Sequence, residues 1–129
     1  MKKILMIIPY DSLYKYRKGY TKLISYEPIT MSVLAALIPK EYEFEIDIVD
    51  EGMEHGNYNK KRWDIVAISS VTSAAPRAYE LAKFFKEKGS YVVMGGHHIT
   101  LLPDEAAEYA DTIFIGRSEK SWPQFFHDY

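Results

Sequence analysis

Apolar residues fall into short runs along the chain, separated by polar turns and by stretches of helical periodicity. Ile4 to Ile8 is a continuous apolar run, the pattern of a central strand covered on both faces of a parallel sheet. Ile29, Val33, Leu34 and Leu37 share one face of a helix predicted over 29–38, with Thr30 or Glu27 as its cap and Pro39 as its stop. Phe44 to Ile48 alternates apolar and acidic residues, which marks a half-exposed strand at a sheet edge. Asp50 to Lys61 is a polar connection, and Ile65 to Ser69 is the third strand. Ala78, Leu81, Ala82 and Phe85 then follow helical spacing, with Lys83, Lys86, Glu87 and Lys88 on the wet face. Ser73 is its predicted N-cap, Pro76 lies in its first turn and Gly89 is its stop. Tyr91 to Met94 predicts a fourth strand, Leu102 to Glu105 opens a short helix, and Thr112 to Ile115 predicts a fifth strand. Trp122, Phe125 and Phe126 sit on the start of a last helix.

Strands separated by helices, joined by right-handed crossovers, predict an α/β fold: a doubly wound five-stranded parallel sheet with helices on both faces. With the second strand at an edge, the order is 2-1-3-4-5, Rossmann-like or flavodoxin-like, and the switch point lies between strands one and three. Ligands in such sheets bind outside the carboxyl ends of the strands at that point. Two loops meet there. One runs from Pro9 to about Pro28 and carries Tyr10, Tyr14, Tyr16, Tyr20 and Tyr26; loops of this length are often functional, and Tyr10 is a candidate contact. The other, Ser69 to Pro76, presents Ser69, Ser70, Thr72 and Ser73. One serine capping a helix is ordinary, but four hydroxyls make a set of donors and acceptors suited to amides or phosphates.

Further along the same rim, Gly95-Gly96 marks a close backbone approach or a positive φ. It forms neither a GxGxxG motif nor a phosphate loop. His97 and His98 diverge in direction and have no third ligand at familiar metal spacing, so one of them facing a ligand is the stronger expectation. Gly116-Arg117-Ser118-Glu119 is a polar turn after the fifth strand. No Ser/His/Asp set, nucleophilic cysteine or facing carboxylate pair is visible, and the chain reads as a binder.

Composition narrows the field. The chain has 129 residues, about one domain, with 47% hydrophobic and 26% charged residues and a net charge of -2. That charge gives no reason to expect nucleic acid or an acidic membrane surface. Tyrosine is abundant at 11, and cysteine is absent, which leaves no disulfide, thiolate metal site or iron-sulfur cluster in these residues. The apolar start stops at Pro9 without a cleavage site, so it reads as a strand and not a signal peptide. No stretch approaches the ~20 apolar residues of a membrane span, and a cytoplasmic location is expected.

These loops resemble the N-terminal cobalamin-binding domain of B12-dependent radical SAM proteins. The resemblance runs along most of the chain: the first strand ending in proline, Glu27-Pro28 before the first helix, Val49-Asp50-Glu51, Asp64 to Ser69, Thr72 to Ala78, Val92 to Thr100 with Pro103, and Gly116 to Glu119. It implies a corrin held over the carboxyl ends of the strands with its nucleotide tail buried beside strands one, three and four. By position, Ser69, Thr72 and Ser73 would line the tail channel, with Ser70 in the same turn. Gly95 and Gly96 would let the tail pass, with His97 and Thr100 nearby, and Gly116 and Arg117 would meet the nucleotide end or the corrin amides.

Two departures shape the expectation. The Asp-x-His-x-x-Gly signature of cobalt-ligating domains is absent, so cobalamin is expected base-off, without a histidine on its lower face; Tyr14 or Tyr16 could shield that face. The Cys-x-x-x-Cys-x-x-Cys motif of a radical SAM domain is also absent, so S-adenosylmethionine and an iron-sulfur cluster would belong to a partner domain in the same full-length chain. Residues 1–129 are thus expected to be a single domain, a fragment of a longer protein. The alternatives are a domain of the same ancestry without cofactor, serving structure or interaction, and a small flavin- or nucleotide-binding protein.

Overall fold

Lys3–Ile8 (β1) lies inside a parallel sheet, flanked by Glu45–Asp50 (β2) on one side and Ile65–Ser69 (β3) on the other. This computed structural model describes residues 2–9, 34–51, 58, 62–69, 74–115 and 121–128, with backbone only at 42, 97, 121, 127 and 128. Tyr91–Gly95 (β4) and Thr112–Ile113 (β5) complete a five-stranded sheet of order β2-β1-β3-β4-β5. Every pairing is parallel, and the registers include Ile8 with Asp50, Ile7 with Ile68 and Ser69 with Gly95. The expected fold and strand order are those observed.

The period of two along each strand divides the core between two faces. Leu5, Ile7, Val66, Ile68, Val92 and Met94 point to one face, where they meet Ala78, Leu81, Ala82 and Phe85 of Ala75–Glu87 (α1). His97–Leu101 (α2) and Pro103–Ala107 (α3) cover the same face through Ile99 and Ala106. Ile4, Met6, Ile8, Ile65, Ala67 and Val93 point to the other face, under Ile38 and under Trp122 and Phe126 of Ser121–Asp128 (α4). Near Ile38 the chain is helical over 34–36 and stops before Pro39, whose ring cannot continue a helix. Leu37 and Ile38, placed in the predicted helix, already turn out of it, and its residues 29–33 lie outside the described residues.

The edges explain where the elements depart from expectation. β2 runs two residues beyond Ile48, its ladder with β1 holding to Asp50. Phe44 precedes the strand and sets its ring edge-on to Phe126, with centroids 5.1 Å apart. β5 is shorter than Thr112 to Ile115, although the Phe114 N–H still donates to the Met94 carbonyl at 2.8 Å. α1 has Ala74 at its N-cap, without a side-chain cap, in place of Ser73, which lies outside the described residues. Its C-terminal stop is as expected, with Gly89 at φ +88°. Among the described residues no helix is long and apolar enough to cross a membrane.

Candidate functional site

Parallel register puts the ends of the strands in a row: Asp50 beside Ile8, with Ser69 beside Gly95 further along the carboxyl rim. Ser69 is half-buried and small. Gly95 has Phe114 as its neighbour on the far side, where an added Cβ would stand 3.5 Å from the Phe114 Cβ and 3.7 Å from its carbonyl oxygen. Gly96 follows at φ 105° and ψ 179°, a region of backbone space essentially reserved for glycine. Of the two expectations for the glycine pair, close approach describes Gly95 and positive φ describes Gly96.

That turn starts α2. Thr100 N–H donates to the Gly96 carbonyl at 3.0 Å, so Thr100 sits half-buried one helical turn from the rim. Consecutive residues on a helix point about 100° apart, and His98 turns inward. It is buried, with Nε2 2.7 Å from Glu105 Oε2, and its ring lies edge-on to Tyr79 with centroids 5.9 Å apart. Of the histidine pair, His98 is therefore committed to the packing between α1 and α3. The side chain of His97 lies outside the described residues, as do Tyr10, Ser70, Thr72, Ser73, Gly116 and Arg117. Within the described set, Ser69, Gly95 and Gly96 come together at one rim, with Thr100 one helical turn away. Among the described residues no group of three or more His, Asp or Glu side chains is arranged to hold a metal.

An ion pair at the same rim was not singled out from the sequence. Glu51, just past β2, accepts from Arg77 Nε at 3.0 Å and from Nη2 at 2.8 Å, one bond to each carboxylate oxygen. Tyr58 Oη donates to the second oxygen at 2.7 Å, and the Glu51 side chain is only 5% exposed. Its carboxylate holds the Arg77 guanidinium even more firmly protonated than usual, against the opposing effect of burial. One sequence signal was available: α1 has no acid in its first turn but does have Arg77 there, where the helix dipole disfavours a cation unless something compensates.

The opposite rim carries an open cleft of about 350 Å³, lined by Arg62, Asp64, Ser90, Tyr91 and Asp111 among others. Its carboxylates are already engaged: Asp64 accepts from the Lys3 N–H at 2.8 Å and Asp111 from the Val92 N–H at 2.9 Å. Ligands of doubly wound sheets bind at the other end of the strands, and the glycine turn is there too.

Fold and rim together define a doubly wound α/β domain with a glycine-bearing turn at the carboxyl ends of its central strands. No protein-family model matches the chain. Bacteriochlorophyllide d C-8(2)-methyltransferase of Chlorobaculum tepidum is 37% identical over 100 residues, which is 78% of this chain and 22% of that protein. The C-12(1)-methyltransferase of the same organism is 30% identical over 102 residues, again 78% and 22%. An uncharacterized methyltransferase of Pyrococcus horikoshii is 33% identical over 111 residues, 81% of this chain and 23% of that protein. The chain is thus homologous to one segment of methyltransferases and spans about a fifth of the length of these curated relatives.

Two solved structures from Thermotoga maritima share the fold. The N-terminal domain of a hypothetical protein superposes with a TM-score of 0.51 at 20% identity, covering 86% of this chain and 95% of that one. The response regulator protein TrrA gives a TM-score of 0.53 at 13% identity, covering 99% and 96%.

Proposed function

We propose that this chain is a cobalamin-binding module of a methyltransferase in which an adjacent radical SAM domain, in the same full-length chain, carries the catalytic machinery. The observation that carries the reading is the row Ser69, Gly95 and Gly96 at the carboxyl rim, in a chain homologous to part of methyltransferases. A corrin with a long nucleotide tail needs a rim where backbone is accessible and side chains are small. Ser69 and the two glycines fit that need, and Thr100 adds a hydroxyl one turn away.

Bound cobalamin would supply a carrier for a methyl group. The chain's own part is to hold and orient it. Ser69, with Ser70, Thr72 and Ser73 after it in the sequence, would donate to and accept from the tail. Gly95 and Gly96 would admit it against the backbone, with Tyr10, His97, Gly116 and Arg117 as further contacts. Cobalamin would be held base-off, with no histidine assigned to the lower face of the corrin. S-adenosylmethionine and the iron-sulfur cluster belong to the partner domain. The names of the curated relatives make a tetrapyrrole the substrate class to try first on the whole protein.

The test is the absorbance spectrum of the protein after incubation with hydroxocobalamin and desalting. A retained base-off spectrum is expected. A folded but colourless protein would overturn the reading in favour of a domain of the same ancestry that serves structure or interaction.

A further inference from the structure

Gly96 holds φ 105° and ψ 179° between β4 and α2. Glycine permits that backbone but does not enforce it, so the turn takes its shape from what grips the chain on either side. Before it, Gly95 is paired in register with Ser69. After it comes α2, only five residues long and too short to hold its direction as an isolated helix. α2 does not run on into α3, because Leu102 interrupts the helical backbone at φ −131° and ψ 62°. The grip on the far side of the turn therefore comes from the side chains of α2.

Among its described side chains, those of Ile99 and His98 are buried. Ile99 supplies apolar contact, which has no direction. His98 supplies a directed bond. A carboxylate only accepts, so the Nε2–H donates to Glu105 Oε2 at 2.7 Å, reaching past the Leu102 break to α3. Tyr79 Oη of α1 donates to that same oxygen at 2.7 Å, which holds the acceptor in place from a second helix. The ring also leaves Nδ1 buried without a hydrogen-bond partner among the described residues, a penalty that an apolar ring of similar size would not carry. What the histidine adds over such a ring is direction more than stability.

We infer that His98, acting through Glu105, is a positioning residue: its bond sets the direction of α2 and so fixes the Gly95–Gly96 turn in the shape that a ligand meets at the rim. For its ligand the inference rests on the cobalamin reading; for the shape of the turn it rests on the geometry alone.

The test uses His98→Phe, which keeps a ring and loses the donor, and His98→Gln, whose amide nitrogen can stand where Nε2 stands. Glu105→Ala removes the acceptor from the exposed side of the pair and decides the matter if the phenylalanine variant does not fold. Two readouts are taken on folded protein. One is affinity for hydroxocobalamin; the other is amide exchange at Thr100 and Leu102, whose N–H groups donate to the Gly96 and His98 carbonyls at 3.0 and 2.9 Å. Loss of the bond should speed exchange at both amides and weaken hydroxocobalamin, each on the order of tenfold. Exchange at Val92 and Val93 should not change, and His98→Gln should bring both readouts to within about threefold of the unaltered protein. Unchanged exchange at Thr100 and Leu102 would overturn the inference. So would acceleration that spreads to Val92 and Val93, or that His98→Gln fails to reverse, because either makes His98 a packing residue only. Localised acceleration with unaltered affinity would overturn the part that concerns the ligand. If the unaltered protein takes up no hydroxocobalamin, the cobalamin reading falls, and exchange alone decides: localised acceleration that glutamine reverses upholds the positioning role and its absence refutes it.

Discussion

Tyr79 and His98 share one acceptor: Tyr79 Oη and His98 Nε2 each lie 2.7 Å from the same oxygen of Glu105. The carboxylate accepts from both, which puts the imidazole proton on Nε2. His98 Nδ1 is buried with no hydrogen-bond partner among the described residues. The phenol also stacks on Tyr109, with centroids 4.3 Å apart. α1 is thereby tied to α2 and α3 on the face that Ile99 and Ala106 close.

This cluster gives stability a pH dependence with two arms. Hydrogen bonds from Tyr79 first, then from His98, hold the Glu105 carboxyl below its ordinary value of 4.5. A depressed carboxyl contributes stability that is complete above 4.5 and lost as pH falls through its folded value. Burial first, then the bond to Glu105, pushes the Tyr79 phenol above its ordinary 10.0. A raised phenol contributes stability that is complete below 10.0 and lost as pH climbs past it. Tyr79→Phe should therefore flatten the alkaline arm and shrink the acid arm, where His98 still bonds Glu105. Urea midpoints at pH 3.5, 7 and 10.5 check this (values chosen to bracket the ordinary carboxyl and phenol ranges). An alkaline arm that survives the substitution would exclude Tyr79 as its source.

The two glycines of the rim should respond differently to alanine. At Gly95 the new methyl would make ordinary contact with Phe114, so Gly95→Ala should shift stability by less than about 0.5 kcal/mol. At Gly96 the φ of 105° makes any side chain strained, and Gly96→Ala should cost about 1–3 kcal/mol. Gly96→Leu, the obvious way to block a ligand there, carries that same strain and must be judged on its folded fraction. Equilibrium unfolding of both alanine variants distinguishes the sites, and equal costs would refute the assignment of positive φ to Gly96 alone.

What the sequence made legible here follows the range of the interactions. Ile4 to Ile8, Ile65 to Ile68 and the Ala78-Leu81-Ala82-Phe85 face announce themselves because burial repeats at a fixed period, and strand order follows from the alternation in β2. α2 stayed hidden because it has five residues, one of them deeply buried in the core (Ile99), and starts after a glycine pair that ordinarily signals a break. The Glu51–Arg77 pair is 26 residues apart in sequence, and no local spacing encodes it. Of the rim, Ser69 and Gly95 were legible because parallel strands of known order align their ends. The inward turn of His98 was not, since its partner Glu105 is found only when α3 folds back.

The terminal helix makes a third case. Trp122 is 2% exposed, donates from Nε1 to the Leu34 carbonyl at 2.8 Å and sets its ring edge-on to Phe126 at 4.9 Å. The Leu34 carbonyl also accepts from the Leu37 N–H at 3.1 Å, so losing the indole does not leave it unpaired. Trp122→Phe should accordingly cost only about 0.5–1.5 kcal/mol. Trp122→Ala empties the space beside Phe114 and Phe126 and should cost about 3–5 kcal/mol. Denaturant unfolding checks both, and an alanine cost within 1 kcal/mol (below the usual range for a buried tryptophan) would mean that α4 contributes little to the core.

The axial position of the proposed cofactor can be argued from the histidines. The chain has four: His55, His97, His98 and His127. The Nε2 of His98 is engaged by Glu105, and reaching a ligand at the rim would break that pair and expose a buried ring. His97 is the remaining histidine in the rim turn. If the lower face of the corrin is held without histidine, His97→Ala should leave the spectrum of bound cob(II)alamin unchanged and its retention altered by no more than about threefold, the size of a peripheral contact. Electron paramagnetic resonance reads the axial atom directly, because a nitrogen ligand splits the cobalt lines and an oxygen ligand does not. Nitrogen splitting that disappears in His97→Ala would make His97 the ligand, and the proposed site would then have to turn its corrin toward α2.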